Sequence, residues 1–174
     1  MKQPRTPGQI LAVHKPLRSD PQQYLQIINK WIDQSPTNPH PYFDRHFAWM
    51  HMGEPLRALE DLNKAIELEG ETEPMSFLSR GQVYRHLGEY EKALADYNRG
   101  EAINPTQWRE DAFGPFFQAD TYARLGNETA ALACCARLPD DFWTPGLNGA
   151  PGGGKAEIAD KLRRIAGDAR RKRT

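Results

Sequence analysis

Cysteine is almost missing from these 174 residues: Cys134 and Cys135 are the two present. Neighbours in a helix point in different directions, so the pair does not bridge and no disulfide framework can be drawn. Reduced thiols in a cytoplasmic protein are the expectation. Long apolar runs are missing too. None approaches the roughly 18 residues that a membrane span needs, and Lys2 and Arg5 are followed by no apolar stretch of the kind a secretory signal carries. Catalytic signatures are equally scarce. No histidine pair has the one-turn spacing and glutamate of a zinc protease helix, and the cysteine pair lacks a second pair to complete a metal site. Ser19, Ser35, Ser76 and Ser79 lie in no strand-turn-helix elbow. The sequence therefore reads as non-enzymatic, with no cofactor and no metal.

Net charge is zero, with 23 basic and 23 acidic side chains, but the balance hides an asymmetry. Residues 1–38 carry +3, 39–104 carry −5, 105–154 carry −3 and 155–174 carry +5. An acidic body lies between basic ends, which are either attracted to that body or held out toward an acidic partner or nucleic acid. A mean hydropathy of −0.76 suits a helical protein with a charged outer face.

Along the chain, residues 1–20 hold Pro4, Pro7, Gly8 and Pro16 and read as an irregular arm. Asp20 followed by Pro21 is a helix start. Tyr24, Leu25, Ile27, Ile28, Trp31 and Ile32 give the helix over 21–34 a broad apolar face. Helical spacing then recurs over 40–52 and 55–68, over the stretch from Pro74 to Pro105, and over 115–125 and 128–138. Between Pro105 and Pro115 an insertion carries Trp108 and Phe113, which should pack back on the helices. Pro139 ends regular structure. Residues 139–154 are Pro- and Gly-rich and form a loop, anchored by Phe142, Trp143 and Leu147. From Lys155 the pattern is helical again, with Ile158, Leu162, Ile165 and Ala169 on one face. A helix of about fifteen residues is marginal alone in water, so this one should dock as a cap. A basic tail follows it.

The chain repeats itself. Trp49, Tyr84 and Tyr122 fall in one column, Gly53, Gly88 and Gly126 in a second, Ala58, Ala93 and Ala131 in a third, and Leu59, Leu94 and Leu132 in a fourth. The offsets are 35 and then 38 residues. This pattern resembles the tetratricopeptide repeat, with an aromatic late in the first helix, glycine at the turn and alanine where the two helices cross. The departures are Gly70 where a closing proline is usual, Gly100 where alanine is usual, Cys135 in the column of Leu62 and Tyr97, and Pro139, which cuts the third copy short. The resemblance implies an all-α, right-handed superhelical stack of about three helix pairs over 21–138. An extra N-terminal helix precedes it, and a capping helix lies in 155–174.

In such stacks the first helices line a concave groove. Here that face would offer Phe43, Phe47, Met50, His51, Leu78, Gln82, Arg85, His86, Phe116, Asp120 and Arg124 to a protein or peptide partner. Relatives that grip a C-terminal carboxylate use Lys and Asn on this surface; Phe43, Phe47 and Ser79 stand there instead, so that clamp is absent. The resemblance thus implies a protein-interaction module, a scaffold or adaptor in the cytoplasm. Two other readings stand beside it. Gly149 to Lys155 has the letters of a phosphate-binding loop, although Ala156 replaces the residue that would hold magnesium and no buried strand precedes it. The basic C-terminal tail could meet nucleic acid.

Overall fold

The computed structural model describes residues 20–110 and 112–172. Contacts divide the chain after Glu71 into two compact units, within what the sequence presents as one repeat domain. The first holds α1 (Pro21–Gln34), α2 (Pro39–His51) and α3 (Pro55–Glu69). The second holds α4 (Pro74–His86), α5 (Tyr90–Ile103), the short α6 (Pro105–Glu110), α7 (Phe113–Arg124) and α8 (Glu128–Ala136). A two-residue ladder of β1 (Trp143–Thr144) and β2 (Gly153–Gly154) follows, and then α9 (Lys155–Arg171). The architecture is all-α, and the ladder is local. The irregular arm expected over 1–20 falls outside the described residues except for Asp20.

Local chemistry sets these boundaries. Helices α1 to α4 each begin with a proline in the first turn, where a missing N–H loses no bond. The side chains of Asp20, Asn38, Glu73 and Asn127 accept from backbone N–H groups of the helices they precede. The three turns inside the helix pairs are alike. Gly53, Gly88 and Gly126 have φ of +74°, +79° and +78°. In each, the residue after the glycine donates to the carbonyl of the aromatic column: Glu54 to Trp49 (2.8 Å), Glu89 to Tyr84 (2.9 Å) and Asn127 to Tyr122 (2.9 Å). Glycine reaches this left-handed geometry without the Cβ penalty. Ala58, Ala93 and Ala131 are all fully buried, as the helix-crossing column requires.

A second pair of columns ties first helix to second. Arg45 holds Asp61 with Nε at 2.8 Å and Nη2 at 2.6 Å, and Arg80 holds Asp96 with 2.8 and 2.7 Å. Both pairs are two-pronged, the strong geometry for guanidinium and carboxylate. Asp61 also accepts from Trp49 Nε1 at 2.8 Å. In the first unit Tyr24, Leu25, Ile28 and Ala48 form the core, and the Tyr24 hydroxyl donates to the Asp44 carbonyl at 3.1 Å.

The second unit is organised by the insertion. Trp108, from α6, is buried in the core with Tyr97, Phe116 and Phe117, as the sequence leads one to expect. It fits because Gly100 and Gly114 leave room: a Cβ at either would run into the indole. Its Nε1 donates to Gln118 Oε1 at 3.4 Å. Gln118 stands in the column of Arg45 and Arg80 after the 38-residue offset, and Cys134 in that of Asp61 and Asp96. The third copy thus exchanges its ion pair for the amide, which donates to Asn98 (3.2 Å) and Glu101 (3.0 Å). α9 packs on α7 and α8 and buries Ile158, Leu162 and Ala166 completely, each large aliphatic contributing roughly 1.5–3 kcal/mol. Arg170 adds bonds to the Gly126 carbonyl (3.0 Å) and Glu128 (2.8 Å). The helix is the cap that its apolar face anticipates.

Replacing a helix-interior glycine by alanine ordinarily gains roughly 1 kcal/mol. At Gly100 the new methyl would stand 2.5 Å from Trp108 and 3.1 Å from the Pro74 carbonyl. Overpacking of this kind costs about 1–3 kcal/mol. Gly100→Ala should therefore lower stability in urea unfolding, and a more stable variant would show that Trp108 is not wedged there.

Candidate functional site

The inner-face residues read from the sequence meet different fates. In the first unit α2 presents Phe43, Phe47, Met50 and His51. Phe47 is 39% exposed and stacks edge-on with Phe43 at 5.7 Å, and the two rings flank His46. His51 is exposed and Met50 half-buried. Met52 and Leu56, just beyond the end of α2 and at the start of α3, are exposed as well.

In the second unit, Leu78, Arg85, Phe116 and Asp120 are buried, and Gln82 and Arg124 are half-buried. His86 remains exposed. The burial has two causes. Leu78 and Phe116 belong to the core itself. Arg85 and Asp120 form an ion pair at 2.7 Å with side chains 2% and 0% exposed. Arg124, one turn along α7, reaches the same Asp120 oxygen at 2.8 Å. One carboxylate therefore orients two guanidiniums. The other oxygen, Oδ1, is buried without a hydrogen-bond partner among the described residues. Arg85 lies over the Phe117 ring at 5.2 Å, which suits a desolvated guanidinium. Tyr97 lies beside this cluster. Burial pushes its phenol far above the ordinary range, opposed by the charge of Arg85 and assisted by that of Asp120.

The remaining donors of the two arginines point at the loop. Arg85 Nη2 donates to the Asn148 carbonyl and Arg124 Nη2 to the Gly149 carbonyl, both at 2.6 Å. Asn148 Nδ2 donates to Gln82 Oε1 at 3.0 Å. The loop that the sequence presents as a connector thus lays its tip against α4 and α7. Its stem is closed by the ladder, with Thr144 opposite Gly153, and by Lys161, which donates to the Gly152 carbonyl at 2.7 Å. Phe142 and Leu147 anchor it as expected: Phe142 packs on Phe116 at 5.6 Å and Phe113 at 6.0 Å, and Leu147 joins the same core. Trp143 does not, being 67% exposed. Alternation along β1 turns Thr144 inward, 1% exposed, and Trp143 out.

Lys155, which a phosphate loop would aim at its ligand, donates instead to the Leu138 carbonyl (2.6 Å) and Asp140 (2.9 Å). Arg163 pairs with Asp160 and Arg171 with Asp168 within α9. Among the described residues no group of three or more His, Cys, Asp or Glu is arranged to hold a metal ion. No described helix is long and apolar enough to cross a membrane. Cys134 and Cys135 are buried free thiols, and burial raises the pKa of both. The tip carbonyls and the Arg45/Arg80 and Asp61/Asp96 columns were missed by the sequence reading. The columns were visible at the 35-residue offset; the tip contacts carried no signal.

Removing Asp120 would leave Arg85 buried and unpaired. Breaking such a pair costs about 3–5 kcal/mol, so Asp120→Ala should lose that much in urea unfolding. Arg163→Ala, at an exposed pair, should stay within about 1 kcal/mol. Equal effects would mean that the Arg85–Asp120 pair is not buried.

Among known families, residues 74–107 match the tetratricopeptide repeat. No curated protein matches the sequence. The fold is similar to that in a crystal structure of MamA, with a TM-score of 0.66 and 18% identity over 98% of both chains. A second MamA crystal structure gives 0.65 and 18% over 95% of this chain and 88% of that one. An RS-1 MamA double mutant gives 0.65 and 16% over 93% and 92%. At these identities the likeness speaks for the fold alone. The middle helix pair, residues 74–107, thus carries a tetratricopeptide repeat, and the turn glycines and crossing alanines recur on either side of it.

Proposed function

We propose that the protein is a non-enzymatic cytoplasmic interaction module, a scaffold or adaptor that holds a protein or peptide partner on the inner faces of its first helices. The observation that carries this reading is the surface of α2. Phe43, half-buried, and Phe47, 39% exposed, pack edge to face at the surface beside the buried His46, with Met52 36% exposed nearby. Large apolar side chains grouped at a surface are what a partner's side chains can bury against. Repeat helices offer such faces on a rigid backbone, so the binding chemistry is shape and burial rather than bond making. In the second unit Gln82, His86 and Arg124 are the inner-face side chains that keep solvent contact.

Affinity purification with the tagged chain, followed by identification of the retained protein, supplies the partner for a direct test. Aromatic anchors often cost about 2 kcal/mol or more when truncated in an interface. Phe47→Ala should therefore weaken that partner roughly thirtyfold, by titration calorimetry, while leaving the melting temperature nearly unchanged. Undiminished binding by a folded Phe47→Ala chain would remove α2 from the interface. Unfolding would make Phe47 a core residue.

A further inference from the structure

The loop tip Leu147–Ala150 packs Leu147 and Ala150 on the core, and its polar contacts are made mainly by its backbone. Two consecutive carbonyls, those of Asn148 and Gly149, take the guanidiniums of Arg85 and Arg124, and one side-chain amide meets Gln82. Carbonyl acceptors belong to every peptide, so these bonds do not require this particular segment. Nor does the tip match the charge of its seat. Arg85 and Arg124 share the single carboxylate of Asp120, so the cluster keeps one positive charge, and the tip offers only neutral acceptors. A carboxylate at the same place would add the attraction of opposite charges and could take a guanidinium in two-pronged fashion, which a neutral carbonyl cannot.

We propose that the tip Leu147–Ala150 is an internal ligand of the inner face of α4 and α7, and that an acidic peptide segment displaces it to reach Arg85 and Arg124. This rests on the interaction-module reading, and it names both the partner chemistry and the contact that restrains binding. The tip is built to leave without unfolding the unit. Its stem is closed independently by the β1–β2 ladder and by the bond from Lys161 to Gly152. Phe142, outside the tip, continues to cover Phe113 and Phe116. Displacement therefore exposes the two arginines and the seats of Leu147 and Ala150, and leaves the aromatic core closed.

The ladder register supplies the test. Because Thr144 lies opposite Gly153, residues 145–152 can be replaced by an Asn-Gly turn of the type that joins paired strands. The probes are two acetylated, amidated peptides: TPGLNGAPG, which is the tip itself, and TPGLDDAPG, which carries two aspartates at its centre. Fluorescence anisotropy should show the shortened chain binding the acidic peptide at least tenfold more tightly than the intact chain does. It should also prefer the acidic peptide to the neutral one by tenfold or more. Arg124→Gln in the shortened chain should erase that preference, and raised salt should weaken it. If the shortened chain does not fold, Gly146→Ala loosens the tip instead. Gly146 has φ +93°, and the added methyl would stand 3.0 Å from the Ala150 carbonyl.

Equal affinity of intact and tip-loosened chains for the acidic peptide, equal affinity for the two peptides, or no binding at all would overturn the proposal. A captured protein that binds intact and shortened chains alike, and still depends on Phe47, would overturn the internal ligand while leaving the module reading in place.

Discussion

A buried carboxylate does the organising in the second unit. Asp120 sits on α7 with its side chain fully enclosed and accepts from Arg85 of α4 and Arg124 of α7 at one oxygen. A buried charge without such partners would be strongly unfavourable. The partners it has are fixed in direction by the pairing, and that direction carries their free donors to the Asn148 and Gly149 carbonyls. The position of the loop tip, the closure of the inner face and the burial of Arg85 thus follow from one side chain. The aromatic floor of Phe113, Phe116 and Phe117 makes the setting drier and each of these bonds stronger.

The repeats show how one design is varied. The first two copies clamp first helix to second with a two-pronged Arg–Asp pair, 35 residues apart in sequence. The third copy comes after an insertion that buries Trp108, and its needs differ. An indole wedged against Gly100 and Gly114 requires a partner for its N–H, and Gln118 supplies it from the position where the earlier copies place arginine. The aspartate position is then free to become Cys134, a buried thiol. Gly100, an exception to the usual alanine, is explained by the same indole. Gly100, Gln118 and Cys134 thus change together around one indole.

Local features were the legible ones. The turn glycines, the crossing alanines, the proline starts and the apolar face of α9 each depend on a few neighbouring residues, and each stands where the spacing puts it. The groove was harder. Phe43, Phe47 and His51 keep some solvent exposure, but Leu78 and Phe116 are core, Phe116 packed against Phe117 and the Phe142 that the loop brings back. Arg85 and Asp120 were closed over by a segment 63 and 66 residues away from the positions it touches on α4. Such contacts leave no periodicity behind. Trp143 is apolar enough to read as an anchor, but the two-residue alternation of β1 turns Thr144 inward and Trp143 out. The division after Glu71 falls where Gly70 and Glu71 take successive positive φ values, a backbone change that the missing closing proline only hints at.

Native-state hydrogen exchange tests most directly whether the tip is a removable occupant or a fixed part of the core. The amides of Asn148, Gly149 and Ala150 should exchange through a local opening well below the free energy of global unfolding, while interior amides of α4 and α7 remain protected to the global limit. Arg124→Gln should make that opening easier without lowering protection in α4. If the tip amides and the helix amides share a single opening free energy, and the substitution moves them together, the tip is structural and the inner face is not a site awaiting a ligand.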